Sequence, residues 1–400
     1  MKKLILFLIL ILVLSCNQKQ VYNTELLPYT NFLEKDHKKA KDYVLDLFEK
    51  NDLVIICERD HRENTQYEFL NELISDPKFI QNVGNVFTEV GMRSLNPEIN
   101  NFIHSTGIAN NTKKAKIIEL QRRCSFYPIW EMYNFYSQVE GIYEINQALS
   151  QSEKINLYPT DVELNLDSIN VDYLKKFWYN EANNRDSLMA DYIIENFEKI
   201  KKSKIKRKKA LIIMNYRHGF NNNFKQADGS NFDNVGSFLF DKYPGNIANV
   251  LINPLGILES KSDIDITWIA LQNGKWDAAF KVSKKNNIGF DFKSTPFGKD
   301  KFDYWTFTSH KNNYQDIYTG FVYYESPTDF KIITGVDGLV DTLFLETYKK
   351  RVSLWNKVVG DRLGNETEDS LIFKKYNRKN ISKIEKIDTI ASQIDRWLKY

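Results

Sequence analysis

"VIICERDHRENTQYEFL" (residues 54–70) opens as a β-branched apolar run and breaks at once into Cys57, Glu58, Arg59, Asp60, His61, Arg62 and Glu63. A short apolar run followed by polar residues reads as a buried strand. Beyond it, Asp60 with Glu63 and Thr65 with Glu68 are spaced like capping boxes, and Phe69, Leu70, Leu73 and Ile74 make an apolar stripe at helical spacing. The stretch is therefore strand, turn, helix. What needs explaining is why a segment built for burial ends in so dense a cluster of titratable groups.

The same grammar recurs along the chain. "NVFTEV" (85–90), "KINLYPTDVEL" (154–164) and "KKALIIMNYRHGFN" (208–221) are further strands, each leading into polar residues. Helical stretches are expected at about 113–123, 129–149 and 171–200. Strands alternating with helices give an α/β fold: a central mixed, largely parallel sheet with helices on both faces. A helical insertion is expected at about 95–150, carrying substrate choice; its "IWEMYNFYSQVEGIYEIN" pattern fits a lid and an ordinary amphipathic helix equally. Beyond about 245 shorter pieces, "ITWIAL", "WDAAFKV", "GFVYYES" and "FKIITGV", read as strands, followed by helices at about 340–358 and 382–398. No Pro/Gly/Ser-rich linker separates the two parts, so residues 41–330 form one domain and 331–400 a C-terminal α+β extension of it.

With 42% apolar and 27% charged residues, the 400-residue chain lies far from the disordered regime. Its net charge of +3, lowered further if Lys2 and Lys3 are removed, is too balanced for nucleic acid as the main partner. The one basic run, "KIKKSKIKRKK" (199–209), reads as a solvated connection. "MKKLILFLILILVLSC" has the layout of an export signal, too short to span a bilayer. Its end resembles a bacterial lipobox, which implies cleavage after residue 15 and lipidation of Cys16. Two acyl chains suffice for stable attachment. The expectation is a body tethered through residues 16–40 to a membrane of the cell envelope, the outer membrane, outside the cytoplasm. Cys57 and Cys124 remain, and their separation in sequence leaves open whether they pair.

Lining up the first four strands answers the opening question. They end at Glu58 and His61, at Glu89 and Arg93, at Asp161 and Glu163, and at Asn215, Arg217 and His218. Ligands of open α/β sheets bind beyond the carboxyl ends of the strands. Each residue has a structural alternative, a paired carboxylate or a bonded core histidine, as do His37, His104 and His310; recurrence at four strand ends is what singles these out.

"ERDH" (58–61), "FTEVGMR" (87–93), "YPTDVE" (158–163), "RDSLMA" (185–190) and "IIMNYRHGF" (212–220), in that order, resemble the erythromycin esterase-like group of the haem-uptake and Tiki superfamily. "NVGSFLFDKY" (234–243) and "YTGFVYYESP" (318–327) resemble its later elements. The resemblance implies an α/β fold with a Glu/His site that hydrolyses an ester, with metal-dependent peptidases and haem-binding lipoproteins as other branches. The chain departs from the group at Cys57 and Arg62, where glycines are usual, and at Asn215, where a histidine is.

Three readings are open. In the first, His61, helped by Glu58 or Glu89, activates water to hydrolyse an ester or amide of a small molecule or peptide, and Arg93 and His218 stabilise the oxyanion. Asp161, Asn215 and Arg217 then contribute to binding. A divalent metal on Glu58, His61, Asp161 or His218 would serve equally. In the second the protein binds haem without catalysis, Tyr158 and Tyr216 lying beside the site as axial candidates. The third is generic glycan or peptide binding through the aromatic runs "FDYWTF" and "YTGFVYYES".

Overall fold

Every residue from Leu53 to Glu58 is buried, and so is every residue from Asn85 to Met92. Strands this apolar belong to a sheet covered on both faces. The computed structural model describes residues 22–166, 168–226, 228–258, 267–304, 312–360 and 368–399, so the expected export signal, Cys16 and His310 lie outside the described residues. The strands described are β1 (Lys38–Lys39), β2 (Leu53–Glu58), β3 (Asn85–Met92), β4 (Asn156–Asp161), β5 (Ala210–Asn215), β6 (Ile247–Ile252), β7 (Leu255–Leu258), β8 (Thr267–Ala270), β9 (Ile288–Asp291), β10 (Gly320–Tyr323), β11 (Ile332–Thr334) and β12 (Asn380–Ser382).

Eight of them form one sheet in the order β1-β9-β10-β6-β2-β5-β3-β4. The six from β10 to β4 are mutually parallel, and β9 runs antiparallel to β10 and β1. Alternation along β2 sends Val54 and Ile56 into one core and Leu53, Ile55 and Cys57 into the other. Helices Thr65–Ile74, Asn96–His104 and Tyr133–Gln147 cover the first face; Arg185–Lys202 and Lys275–Ser283 cover the second. The fold is α/β, with a mixed, largely parallel sheet. Helices at 96–104, 110–121 and 133–147 fill the chain between β3 and β4, where the insertion was expected.

Several expectations are corrected. "WDAAFKV" is not a strand: Lys275–Ser283 is a helix that buries Trp276, Ala278, Ala279 and Phe280, Ala-rich spacing winning over apolar alternation. The stretch expected as one helix over 171–200 breaks into Val171–Asn180 and Arg185–Lys202, interrupted by an Asn-rich turn. Neither capping box forms. Helix Thr65–Ile74 takes its cap from Glu63, whose carboxylate accepts the Thr65 and Gln66 N–H groups at 2.7 and 3.2 Å. The expected tether is packed onto the body from Thr24 onward: Leu26 and Leu33 are fully buried and the Tyr29 hydroxyl donates to Asp300 at 2.7 Å. Within the basic run, Arg207 is buried and donates to the carbonyls of Ile80, Glu153, Ser152 and Lys154. The unanticipated partner of β11 is β12, a ribbon that ties the C-terminal segment back to the body. Cys57 and Cys124 are both buried and free.

Candidate active site

In the sheet register Glu58 stands opposite Asn215, so the ends of β2 and β5 are level. On β3 the pairing with β4 jumps from Thr88–Pro159 to Met92–Asp161, an irregularity that inserts extra residues just after Thr88. Bulges re-aim side chains at strand ends. Gly91 permits this one: its φ is +119°, and a Cβ there would lie 2.7 Å from the Pro159 Cβ. The Glu89 carboxylate is thereby carried over the end of β5, where Oε2 accepts the Asn215 backbone N–H at 2.8 Å.

Glu89 Oε1 is the hub of the site. The Nε2 atoms of His61 and His218 lie 3.6 and 3.4 Å from it, and Arg185 Nη2 lies 3.0 Å from it. Each imidazole is backed by its own carboxylate on Nδ1, His61 by Glu58 Oε1 at 2.6 Å and His218 by Asp186 Oδ1 at 2.7 Å. The Glu58 oxygen lies off the line of the His61 Nδ1–H, so that nitrogen has no aligned acceptor. Arg185 spans the cluster, its Nε and Nη2 on the two oxygens of Asp161 at 2.6 and 3.1 Å and its Nη1 3.3 Å from His218 Nε2. Glu58 and Glu89 are buried, whereas both imidazole side chains keep 12% exposure and so reach solvent.

Burial by itself would push both histidines toward neutrality. Glu58 and Glu89 outweigh it at His61 and bring it up to about 10; Asp186 and Glu89 bring His218 up to about 9. At Glu89 burial is likewise overcome, by His218, His61 and Arg185, and its carboxyl sits well below the usual range. Asp161 goes the other way: burial raises it, and Arg185 only partly compensates.

A buried chain of hydrogen bonds supports His61 from behind. Trp130 Nε1 donates to Asn134 Oδ1 (2.7 Å), Asn134 Nδ2 to the Tyr67 hydroxyl (2.9 Å), and that hydroxyl to Glu58 Oε2 (2.5 Å). The Trp130 ring also meets the His61 ring edge-on at 5.3 Å between centroids. Of the remaining charges of the opening stretch, Arg59 pairs with Glu63 at 2.7 Å and Arg62 with Asp60 at 2.8 Å, while Glu68 faces Lys331 at 3.0 Å.

Of the residues singled out in the sequence, Glu58, His61, Glu89, Asp161 and His218 converge. Asn215 joins them through its backbone, its side chain tying down the Arg59 carbonyl at 3.1 Å. Arg93, expected as an oxyanion stabiliser, instead faces Glu163 at 3.7 Å. Arg217 is exposed and turns back onto Asn215. Tyr158 stacks on Phe87 and Tyr216 is buried against Tyr304, so neither is presented to the site as a haem ligand. His37 and His104 bond the carbonyls of Phe32 and Ile155. Sequence reasoning placed Arg185 and Asp186 only in the motif "RDSLMA", with no role in the site, and missed Tyr67 and Asn134. The motif itself, with an arginine and an aspartate side by side at its start, was the available signal for both.

For a divalent cation the donor set differs from the one expected. Glu58, His61 and Glu89 bring ligand atoms within 4.8 Å of one another, and the unaligned His61 Nδ1 suits such a role. Asp161 and His218 are held by Arg185 and Asp186 instead.

No family model and no curated protein matches the chain. Among solved structures it is similar to a Bacillus cereus protein, with 12% identity and a TM-score of 0.43 over 76% of this chain and 97% of that one. It is also similar to a protein described as a succinoglycan biosynthesis protein, with 10% identity and a TM-score of 0.44 over 70% of this chain and 89% of that one.

Proposed function

We propose that the protein hydrolyses an ester or amide bond by acid–base catalysis on a pair of carboxylate-backed imidazoles. The carrying observation is the convergence of His61 and His218 Nε2 on one Glu89 oxygen, with Arg185 beside it. The collinear motifs from Glu58 to Phe220 support the same class.

The active form carries one proton on the pair; the resting site holds it more firmly on His61, and Glu89 Oε1, within reach of both Nε2 atoms, passes it to His218 to make the reactive arrangement. His61 Nε2 takes a proton from water as the water oxygen attacks the carbonyl carbon. The oxyanion that forms is met by the Arg185 guanidinium, which takes the part first expected of Arg93. His218 Nε2 gives its proton to the leaving oxygen or nitrogen as that bond breaks. The neutral His218 then accepts from Arg185 Nη1, 3.3 Å away, so its Nε2 has a partner in either protonation state. Glu89 Oε1 lies within reach of both Nε2 atoms and returns the proton from His61 to His218. Glu58, fixed by Tyr67, stabilises the imidazolium on His61. A divalent cation held by Glu58, His61 and Glu89 would add Lewis acidity and acidify a bound water.

His61→Ala should lower turnover of a panel of p-nitrophenyl esters and peptide amides by roughly a hundredfold, as loss of a general base does, with an unchanged circular dichroism spectrum. Undiminished activity in this variant would end the reading. The proposed location, outside the cytoplasm on a lipid anchor, rests on the sequence alone; labelled palmitate should enter the wild-type protein and not Cys16→Ser, and equal labelling of the two would refute it.

A further inference from the structure

Eight large apolar side chains are exposed among the described residues, and the three aromatic ones are Tyr127, Trp178 and Tyr179. They are 38%, 36% and 77% exposed. Tyr127 and Trp178 both pack on the fully buried Trp355, at 6.0 and 5.8 Å between ring centroids, which fixes their orientation while leaving part of each ring open. Tyr179 is the next residue on the helix that carries Trp178.

This track runs into the acid–base cluster. Phe126, next to Tyr127, lies under the Arg185 guanidinium at 5.7 Å. Tyr127 and Trp130 then line a cleft of about 430 Å³ with Tyr348 and Tyr376, and Trp130 touches the His61 ring. The size is that of a ligand site. Glu131 and Lys375 are the charged side chains of its wall, one of each sign.

We propose that this track and cleft form a carbohydrate platform that presents an acylated sugar to Glu89, His61 and His218, a proposal that rests on the hydrolase reading. Flat rings that are a third or more exposed and carry polar tips, as Tyr127, Trp178 and Tyr179 do, suit a ligand with one apolar C–H face and a rim of hydroxyls, each sugar ring stacking on an aromatic face. A fatty acyl chain calls for an enclosed aliphatic wall, which an open aromatic track does not offer. A polyanion calls for several cations, and the cleft wall has one. Of the aromatic runs named in the sequence, the described rings do not serve: Phe302, Tyr304, Tyr318, Phe321, Tyr323 and Tyr324 are all core residues, and Trp305 and Phe307 lie outside the described residues.

The test is titration of the mature protein with xylohexaose, cellohexaose and chitohexaose, monitored by tryptophan fluorescence and calorimetry. At least one should bind. Tyr127→Ala and Trp178→Ala should each weaken that binding about tenfold, and Trp178→Phe should restore most of it. For the O-acetylated form of the bound sugar, Trp178→Ala should raise KM about tenfold with kcat unchanged, and the p-nitrophenyl acetate rate should not move. Absence of binding by all three sugars, or binding indifferent to both alanine variants, would overturn the platform. Hydrolysis of p-nitrophenyl acetate without sugar binding would sink the platform alone, whereas sugar binding without ester cleavage would sink the hydrolase reading and leave the platform standing.

Discussion

Glu89→Gln should cost the protein its activity and a large part of its stability together. The substitution keeps size and shape but removes the one charge that two imidazoles and a guanidinium share, at 3.6, 3.4 and 3.0 Å. Removing one partner of a buried ion pair typically costs about 3–5 kcal/mol, because the charges left behind stay desolvated. Both histidines also lose a carboxylate that holds them up, so the proton that His218 must donate is bound less firmly. The amide cannot carry a proton from one Nε2 to the other. A loss of roughly 10³–10⁴ in kcat is expected, read on the ester panel, with the stability change read by urea unfolding. Glu163→Gln, which changes only the half-exposed partner of Arg93, is the control and should leave both quantities near wild type. Wild-type stability and turnover in Glu89→Gln would mean that the convergence on Oε1 has no energetic content.

Much of this was legible in the sequence. The apolar runs ending at Glu58, Asp161 and Asn215 announced their strands because both faces of the sheet are covered, and strand ends are where an α/β sheet gathers its chemistry. Residues contributed by position at a strand end were therefore found. Arg185 and Asp186 stood in a quoted motif but received no role, because they sit where an expected long helix breaks, and their role depends on which strand ends that break faces. Tyr67 and Asn134 looked like ordinary helix residues, since a polar group on a buried face declares itself only through its partner. Arg93 was misassigned for a related reason: the irregularity between Thr88 and Met92 rotates the end of β3, so Glu89 turns into the site and Arg93 out of it. Gly91 near the end of the apolar run was the trace of that in the sequence. The central strand β6 passed unnoticed although its apolar run is as plain as that of β2, because the pattern around it had already changed.

The second large effect is a loss of stability in mildly alkaline solution, measured on protein dialysed against a chelator. His61 and His218 sit at about 10 and about 9 in the folded chain, against an ordinary value of 6.5. Groups raised in this way contribute fully below the unfolded value and lose that contribution as pH climbs through the folded values. Glu89 acts oppositely: held below its ordinary 4.5, it contributes above that pH and is lost on acidification. Burial raises Asp277 to about 7, so the last of its own contribution is lost as pH rises through that value, at the foot of the alkaline interval, and adds little to the fall beyond it. Between pH 7 and pH 9 the unfolded chain has released both imidazole protons while the native site still holds most of them. Urea unfolding should therefore show stability falling by on the order of several kcal/mol over that interval. The fall should be largely absent in the His61→Gln, His218→Gln double variant. Activity should move the other way, because the pair carries a single proton most often between about 9 and about 10, so kcat/KM should climb from neutrality to a maximum there. A site that grows more active as the fold around it weakens is the expected signature of imidazoles held by buried carboxylates. Flat stability from pH 7 to 9 with an activity maximum near 7 would instead mean that the two rings are neutral in the resting protein, and that their carboxylates orient them without charging them.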